Sequence, residues 1–189
     1  FLFNTLGTIR ALIRMNPAMA RVLVKDLADF LRTSLDRHEE VVTLSKEMEI
    51  VARYYRIEKA RFGERISMKV DIPRELLEHP IPVFTLQPLI ENTVRHGLAD
   101  TETGGLITIT ARQDEDVTIT ITDNGCGISR EILEKIQSGQ QPDFGKKSGI
   151  GLYNVDGRIK IIYGERYGLK IDSRPGEGTR IDICLPREG

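Results

Sequence analysis

The segment Asp123-Asn124-Gly125-Cys126-Gly127 sets a carboxylate at the end of an alternating apolar run and follows it with two glycines. A carboxylate placed there can accept a hydrogen bond from an amino group on a planar ligand, a charge-assisted contact worth roughly 1.5–3 kcal/mol. Gly125 and Gly127 carry no side chain to keep a flat ring away from the backbone. Asp-Asn-Gly is equally good turn chemistry, so this segment alone reads either way. A second segment, Gly149-Ile150-Gly151-Leu152, stands before a helical run. Glycines at a helix start expose N–H groups, and the helix dipole there favours phosphate. A lone Gly-x-Gly is also what a flexible loop entering a helix looks like. Lys146 and Lys147 just upstream add positive charge, or are merely solvated. The third segment is Glu91-Asn92-Thr93-Val94-Arg95-His96-Gly97. The Asn92 side-chain oxygen suits magnesium, which prefers oxygen ligands and keeps several waters. Arg95, one turn later, can reach a phosphate oxygen. For Glu91 a solvated helix face is an equally simple reading.

The elements that must position these groups follow from periodicity. Leu2, Leu6, Ile9 and Ile13 recur at helical spacing, Asn16-Pro17 breaks that run, and Pro17 opens the next helix. Met19, Leu23, Leu27, Phe30, Leu31 and Leu35 give this second helix an apolar side. A third helix is expected from about Leu44 to Arg61, with Thr43 or Ser45 as its N-cap. After Gly63 the period changes. Ile66, Met68 and Val70 alternate as in a strand, and Pro82 to Gly97 reads as a helix, with Leu86, Leu89, Ile90 and Thr93 as its buried stripe. Ile107, Ile109 and Ala111, then Val117, Ile119 and Ile121, alternate with threonines and predict two antiparallel strands joined at Asp114-Glu115-Asp116. Ser129–Ser138 is a short helix, 139–148 a polar loop, and Leu152–Tyr163 a helix stopped by Gly164. Leu169–Ile171 and Ile181–Leu185 are the last strands, turning at Pro175-Gly176-Glu177-Gly178. Antiparallel strand pairs with helices gathered on one face make an α+β sandwich, here preceded by a helical hairpin segment.

Composition narrows the function classes. The chain has 189 residues, 27 Lys+Arg against 28 Asp+Glu, and a net charge of -1, so no basic excess points to nucleic acid. Cys126 and Cys184 are far apart and form no Cys-x-x-Cys pair, which argues against a disulfide framework or a zinc site. No apolar run approaches the ~20 residues that span a bilayer. The sequence opens at Phe1 without Met, inside an apolar helical run, as an internal piece of a longer chain would.

Taken together, an Asn-bearing helix, a strand ending in Asp-x-Gly-x-Gly, a polar loop and a Gly-x-Gly helix resemble the Bergerat (GHKL) ATP-binding fold of gyrase, Hsp90, MutL and histidine kinases. Asn92 matches its N box, Asp123-Gly125-Gly127 the G1 box and Gly149-Gly151 the G2 box, and Gly178-Thr179 matches a further Gly-Thr turn. The resemblance narrows to LytS-type sensor histidine kinases of two-component systems. Phe1-Leu2-Phe3-Asn4-Thr5-Leu6 is similar to the family's phospho-acceptor motif, in which a histidine directly precedes this run. Tyr55–Gly63 resembles its hinge, Leu86–Asn92 its N box, and Gly149–Val155 its G2 box, so the likeness covers nearly the whole chain.

The resemblance implies two parts: residues 1–62 as a helical dimerisation and phosphotransfer segment, and residues 63–189 as an ATP-binding catalytic domain. It implies ATP and Mg2+ as cofactors, with Asp123 accepting the adenine amino proton, Gly125 and Gly127 admitting the ring, and Asn92 as the metal ligand. Arg95 steadies the phosphates and His96 lies near them. Residues 139–148 form a lid, Lys146 and Lys147 add charge, Gly149, Ile150, Gly151 and Leu152 form hinge and cradle, and Thr179 closes the site. The reaction implied is transfer of the ATP γ-phosphoryl group to a histidine just upstream of Phe1. Glu91 is the candidate to polarise that histidine. Gyrase-type enzymes carry a water-activating glutamate where this chain has Pro88, so a kinase fits better than a hydrolase. The implied partners are a second copy, through the N-terminal helices, and a response regulator, with this part cytoplasmic and its parent in the bacterial cell membrane. The alternatives are a catalytically silent ATP-binding dimerisation scaffold, and an anti-sigma-type serine kinase. The second gives no reason for Phe1–Leu6 or Tyr55–Gly63. His38-Glu39 resembles an ordinary histidine-kinase acceptor pair but falls in a polar break, as a surface histidine would; His79, before Pro80, reads as a plain loop residue.

Overall fold

The computed structural model describes residues 1–35, 40–98, 104–137 and 150–188. Helices α1 (Leu2–Met15) and α2 (Pro17–Leu35) meet at Asn16, which serves both. Its N–H reaches the Leu12 carbonyl at 2.8 Å, and its Oδ1 accepts the Met19 N–H at 3.1 Å. Those are orphan groups of two helix ends satisfied by one residue. Helix α3 (Leu44–Phe62) is capped by Thr43, whose Oγ1 accepts the Lys46 N–H, and ends at Gly63 with φ 62°. The three helices share a small core of Ile9, Leu23, Leu27 and Ile57. Phe1 stacks on Phe30 and Tyr54 at 5.1 and 5.3 Å.

Only Ile9 of the first expected stripe is buried; Leu2, Leu6 and Ile13 face outward at 40, 48 and 58% exposure. Thr5 takes an inward place because its hydroxyl finds the Phe1 carbonyl at 3.1 Å. Arg56 of α3 grips Asp26 of α2 with two hydrogen bonds of 2.8 Å. Asp26 is buried but Arg56 is half-exposed, so solvent screens the pair. Replacing Asp26 by alanine is expected to cost about 1 kcal/mol, or about 2–4 °C in Tm, with the deficit shrinking in high salt. Thermal unfolding at two salt concentrations reads this directly; a salt-independent loss would assign the effect to packing.

The main sheet contains β2 (Ile66–Asp71), β4 (Gly105–Gln113), β5 (Val117–Asp123), β6 (Gly168–Arg174) and β7 (Gly178–Leu185), in the order β2-β4-β5-β7-β6. β2 runs parallel to β4 and the other pairs are antiparallel. The β4–β5 register sets Ile109 against Ile121 and Thr110 against Thr120, as alternation requires. The isoleucines of β4, β5 and β7 pack with Leu86, Leu89, Ile90, Leu152, Val155 and Ile159 of the helices in one core. These helices are α4 (Leu86–Asn92) and α6 (Ile150–Tyr163); α5 (Arg130–Gln137) lies against β6. The architecture is the α+β sandwich expected, with a mixed, mostly antiparallel sheet.

Three local features differ from the sequence reading. Val41–Thr43 (β1) pairs with Pro80–Pro82 (β3) in a two-stranded ribbon; three residues carry too little alternation to announce a strand. The helix expected from Pro82 begins only at Leu86, because Pro82 belongs to β3 and Phe84 takes φ 57°. It then continues from Thr93 to Leu98 as a π-helical turn. His79, read as a plain loop residue, is buried with Nε2 unpaired, and burial lowers its pKa. His38 lies outside the described residues. Among the described residues no helix is long and apolar enough to cross a membrane.

Candidate functional site

Asp123 is the last residue of β5, opposite Thr179 on β7 and Ile107 on β4. Its Oδ1 accepts the Gly125 N–H at 2.8 Å, and the Thr179 N–H and Thr93 hydroxyl also donate to its carboxylate. Burial pushes the Asp123 carboxyl up, and those three hydrogen bonds pull it part of the way back.

The loop after Asp123 is fastened on both sides. Asn124 accepts the Leu106 N–H at 2.6 Å and donates to the Gly104 carbonyl at 3.1 Å. The Gly176 N–H reaches the Cys126 carbonyl at 2.8 Å. Ser173 accepts the Ile128 N–H at 2.8 Å and donates to the Gly178 carbonyl at the same distance. The close approach needs two glycines. A Cβ on Gly127 would stand 2.0 Å from the Arg174 carbonyl oxygen, and one on Gly178 2.0 Å from the Asp123 carbonyl oxygen. Both have positive φ, at +69° and +85°. An open cavity of about 400 Å³ lies at this end of the sheet, bordered by Asp123, Ser173, Arg174 and Thr179 among others.

Asn92 closes α4, and its Nδ2 is buried without a hydrogen-bond partner. A Cβ on Gly151 would come within 3.0 Å of that Nδ2, so the bare backbone of Gly151 is what lets the first turn of α6 approach Asn92. Pro88 sits at the third position of α4, where no N–H is required by the helix. Glu91 is half-buried and accepts a hydrogen bond of 2.7 Å from Gln87 Nε2. Arg95 is exposed. Leu152 is buried and belongs to the core. His96 lies on the π-helical turn and Ile150 opens α6, and only their backbones are described. Lys146, Lys147, Gly149 and the loop 139–148 lie outside the described residues.

The fold therefore brings two of the sequence motifs together through a residue that the sequence placed only in the buried stripe of its helix, with no functional role. Thr93, directly after Asn92, is buried and bonds Asp123, so the Asn helix and the strand-end carboxylate are joined. Ser173 is the second residue missed, and no local pattern marks it. Among the described residues no group of three His, Cys, Asp or Glu could hold a metal. Magnesium at this place would rest on an Asn92 oxygen, on phosphate and on water, a ligand set it accepts. The atom left unpartnered, Asn92 Nδ2 beside the start of α6, is an N–H donor that suits a phosphate oxygen; the metal-ligand role would fall to Oδ1.

The model of the histidine kinase-, DNA gyrase B-, and HSP90-like ATPase family matches residues 82–189. The chain belongs to this family. A histidine kinase model matches residues 1–66 of this ATPase-family chain. Sensor histidine kinase BtsS of Escherichia coli is 37% identical over 187 residues, covering 98% of this chain and 31% of BtsS. Sensor histidine kinase YesM of Bacillus subtilis is 37% identical over 188 residues, 98% of this chain and 31% of YesM. Sensor protein LytS of Oceanobacillus iheyensis is 36% identical, over 98% of this chain and 32% of LytS. The chain thus spans about a third of the length of the curated relatives it matches. Among solved structures, the catalytic domain of histidine kinase ThkA superposes with TM-score 0.57 at 20% identity, over 78% of this chain and 95% of that one. The mycobacterial sensor histidine kinase MprB gives 0.54 at 20%, over 78% and 96%. Those two likenesses bear on the fold. ATP binding goes with the family.

Proposed function

We propose that this chain is the ATP-binding core of a two-component sensor histidine kinase that transfers the γ-phosphoryl group to a histidine just upstream of Phe1. The observation that carries this reading is the convergence at α4: Asn92 against Gly151 of α6, and Thr93 on Asp123 of β5. Residues 1–62 serve as dimerisation and phosphotransfer segment and residues 63–189 as catalytic domain.

Asp123 accepts the adenine amino proton, with Gly125, Gly127 and Thr179 around the ring. Arg95, His96, Lys146 and Lys147 neutralise phosphate, and the start of α6, with Gly149 directly before it in the sequence, offers N–H groups to it. Asn92 would hold Mg2+, which would supply charge neutralisation to the phosphates. Glu91 takes the imidazole proton as the nitrogen–phosphorus bond forms and the bond from γ-phosphorus to the bridging oxygen breaks, leaving ADP. Pro88 offers no carboxylate to activate water, which favours transfer over hydrolysis. The outward apolar groups of α1 and α2, among them Phe3 at 87% and Met15 at 81% exposure, support a homodimer through these helices. A response regulator receives the phosphoryl group, and the core works in the cytoplasm below a membrane-anchored sensor.

Calorimetry with Mg-ATP, followed by incubation with γ-labelled ATP of a chain extended through the residue before Phe1, tests the proposal. Acid-labile, base-stable label on the extended chain is expected, and Glu91→Gln should slow labelling with little change in ATP affinity. Binding without any label would establish the silent scaffold instead. Asn92→Ala should abolish the gain in ATP affinity that Mg2+ gives, leaving affinity in a chelator unchanged; equal losses in both conditions would remove Asn92 from the metal.

A further inference from the structure

Glu47 lies in the first turn of α3 and is 0% exposed. A buried carboxylate needs partners. Its partners lie on the short segment that leads into α4. Oε1 accepts the Phe84 N–H at 2.7 Å, and Oε2 accepts the Leu86 N–H at 2.9 Å. Phe84 reaches this position only in the left-handed region, at φ 57°, and among the described residues it is the non-glycine with positive φ. A bulky residue keeps that conformation where its surroundings overdetermine it, and such strain gathers where geometry matters. The same segment is held from a second side: Arg158 of α6 donates Nη1–H to the Val83 carbonyl. Thr85 closes it internally, its hydroxyl donating to the Pro82 carbonyl at 2.6 Å.

The segment runs directly into α4, and Asn92 is the last residue of that helix. Over six residues a helix is a rod roughly 9 Å long, so fixing its start fixes its end. The other neighbour of Asn92 is Gly151, at the start of the helix that also carries Arg158. Thus α3 and α6 each hold the entry to α4 by one side chain, and α4 presents Asn92 back to α6.

We propose that Glu47 is a positioning residue for the nucleotide site: it locks the entry of α4, sets the placement of Asn92, and makes α3 and the phosphate end of the site one mechanical unit. The proposal rests on the nucleotide reading of the site. It adds a route by which movement of the N-terminal helices reaches Asn92 without touching the Asp123 end, and the coupling is reciprocal.

The test compares Mg-ATP with adenosine, which lacks phosphate, on the wild type and on Glu47→Gln. Glutamine keeps the shape and loses one acceptor and the charge. The variant is expected to bind Mg-ATP on the order of tenfold more weakly, as loss of a charge-assisted bond implies, and adenosine as the wild type does. Mg-ATP should also slow amide exchange across Leu44–Phe62 in the wild type and not in the variant. Equal weakening of both ligands together with a lower Tm would reduce Glu47 to a structural role and overturn the proposal, as would wild-type Mg-ATP affinity with the α3 protection intact. If Glu47→Gln does not fold, the wild type alone decides: the Phe84, Leu86 and α3 amides should gain protection with Mg-ATP and not with adenosine, and no response overturns it. A wild type that binds neither ligand sinks the nucleotide reading first, and this inference with it.

Discussion

Asp123→Asn is expected to lower the affinity for Mg-ATP by about 10- to 100-fold, the size of one charge-assisted hydrogen bond, without lowering the melting temperature at pH 7. The two halves of this result have one cause. The carboxylate stands at the inner end of β5, where burial raises its pKa. A group whose folded pKa is raised contributes stability that is full below the unfolded value and is lost as pH rises through the folded one. At pH 7 the ionised Asp123 therefore weakens the fold relative to a neutral group of the same shape. Asparagine keeps one oxygen, whose two lone pairs can take the Gly125 and Thr179 N–H groups, its NH2 can donate to the Thr93 hydroxyl, which rotates to accept, and the charge is dropped. That single neutral oxygen, already taken by N–H donors, is a far poorer acceptor for the adenine amino group than the carboxylate. Lowering the pH from 7 to a value nearer the ordinary aspartate range should stabilise the wild type relative to the variant. Calorimetric titration and thermal unfolding at both pH values read the two halves separately. A variant that loses binding and also melts several degrees lower at pH 7 would make Asp123 a structural carboxylate.

Gly127→Ala is expected to do the opposite, damaging fold and site together. A Cβ there would stand 2.0 Å from the Arg174 carbonyl oxygen and 3.1 Å from that of Gly178, on a backbone at φ +69°. Both nearest neighbours are main-chain atoms, so no side chain can swing aside. The left-handed conformation costs about 1–2 kcal/mol for an L-residue, and separating the two loops adds the loss of the Cys126 and Ser173 contacts. The expected loss is roughly 3 kcal/mol, which for a chain of this size is about 6–12 °C in Tm. Since Gly178 approaches the Asp123 carbonyl in the same way, the strand end that carries Asp123 should move and nucleotide affinity fall with it. Gly157, with nothing within 4 Å of its Cβ position, is the control: alanine there should leave Tm unchanged or higher. If Gly127→Ala melts as the wild type does, this loop yields to the β6–β7 turn at little cost and close packing does not hold it.

Alternation on β4 and β5 fixes which residues face the helices, because a strand has period two and a one-residue slip would bury threonine in place of isoleucine. Pro17, Asn16, Thr43, Gly63 and Gly164 mark helix ends by local chemistry, and the helix ends are found there. The Asp-x-Gly-x-Gly and Gly-x-Gly segments were legible for the same reason, since each depends on residues adjacent in the chain. The parallel pairing of β2 with β4, the β1–β3 ribbon and the exposure of Leu6 and Ile13 were not. Each depends on partners far along the chain, where local periodicity carries no information.

The residue types and their order along the chain thus determined by themselves the class of fold and the groups available to hold adenine, phosphate and a divalent ion. Tertiary structure alone decided that Thr93 bridges to Asp123, that Ser173 fastens the glycine loop, that Gly127 is needed by a carbonyl on another strand, and that Glu47 lies under the entry to α4. The physical reason is distance in sequence: Glu47 and Phe84 are 37 residues apart, and Ser173 and Ile128 are 45. Only burial, which forces each unpaired polar group to find a partner in space, brings such pairs together.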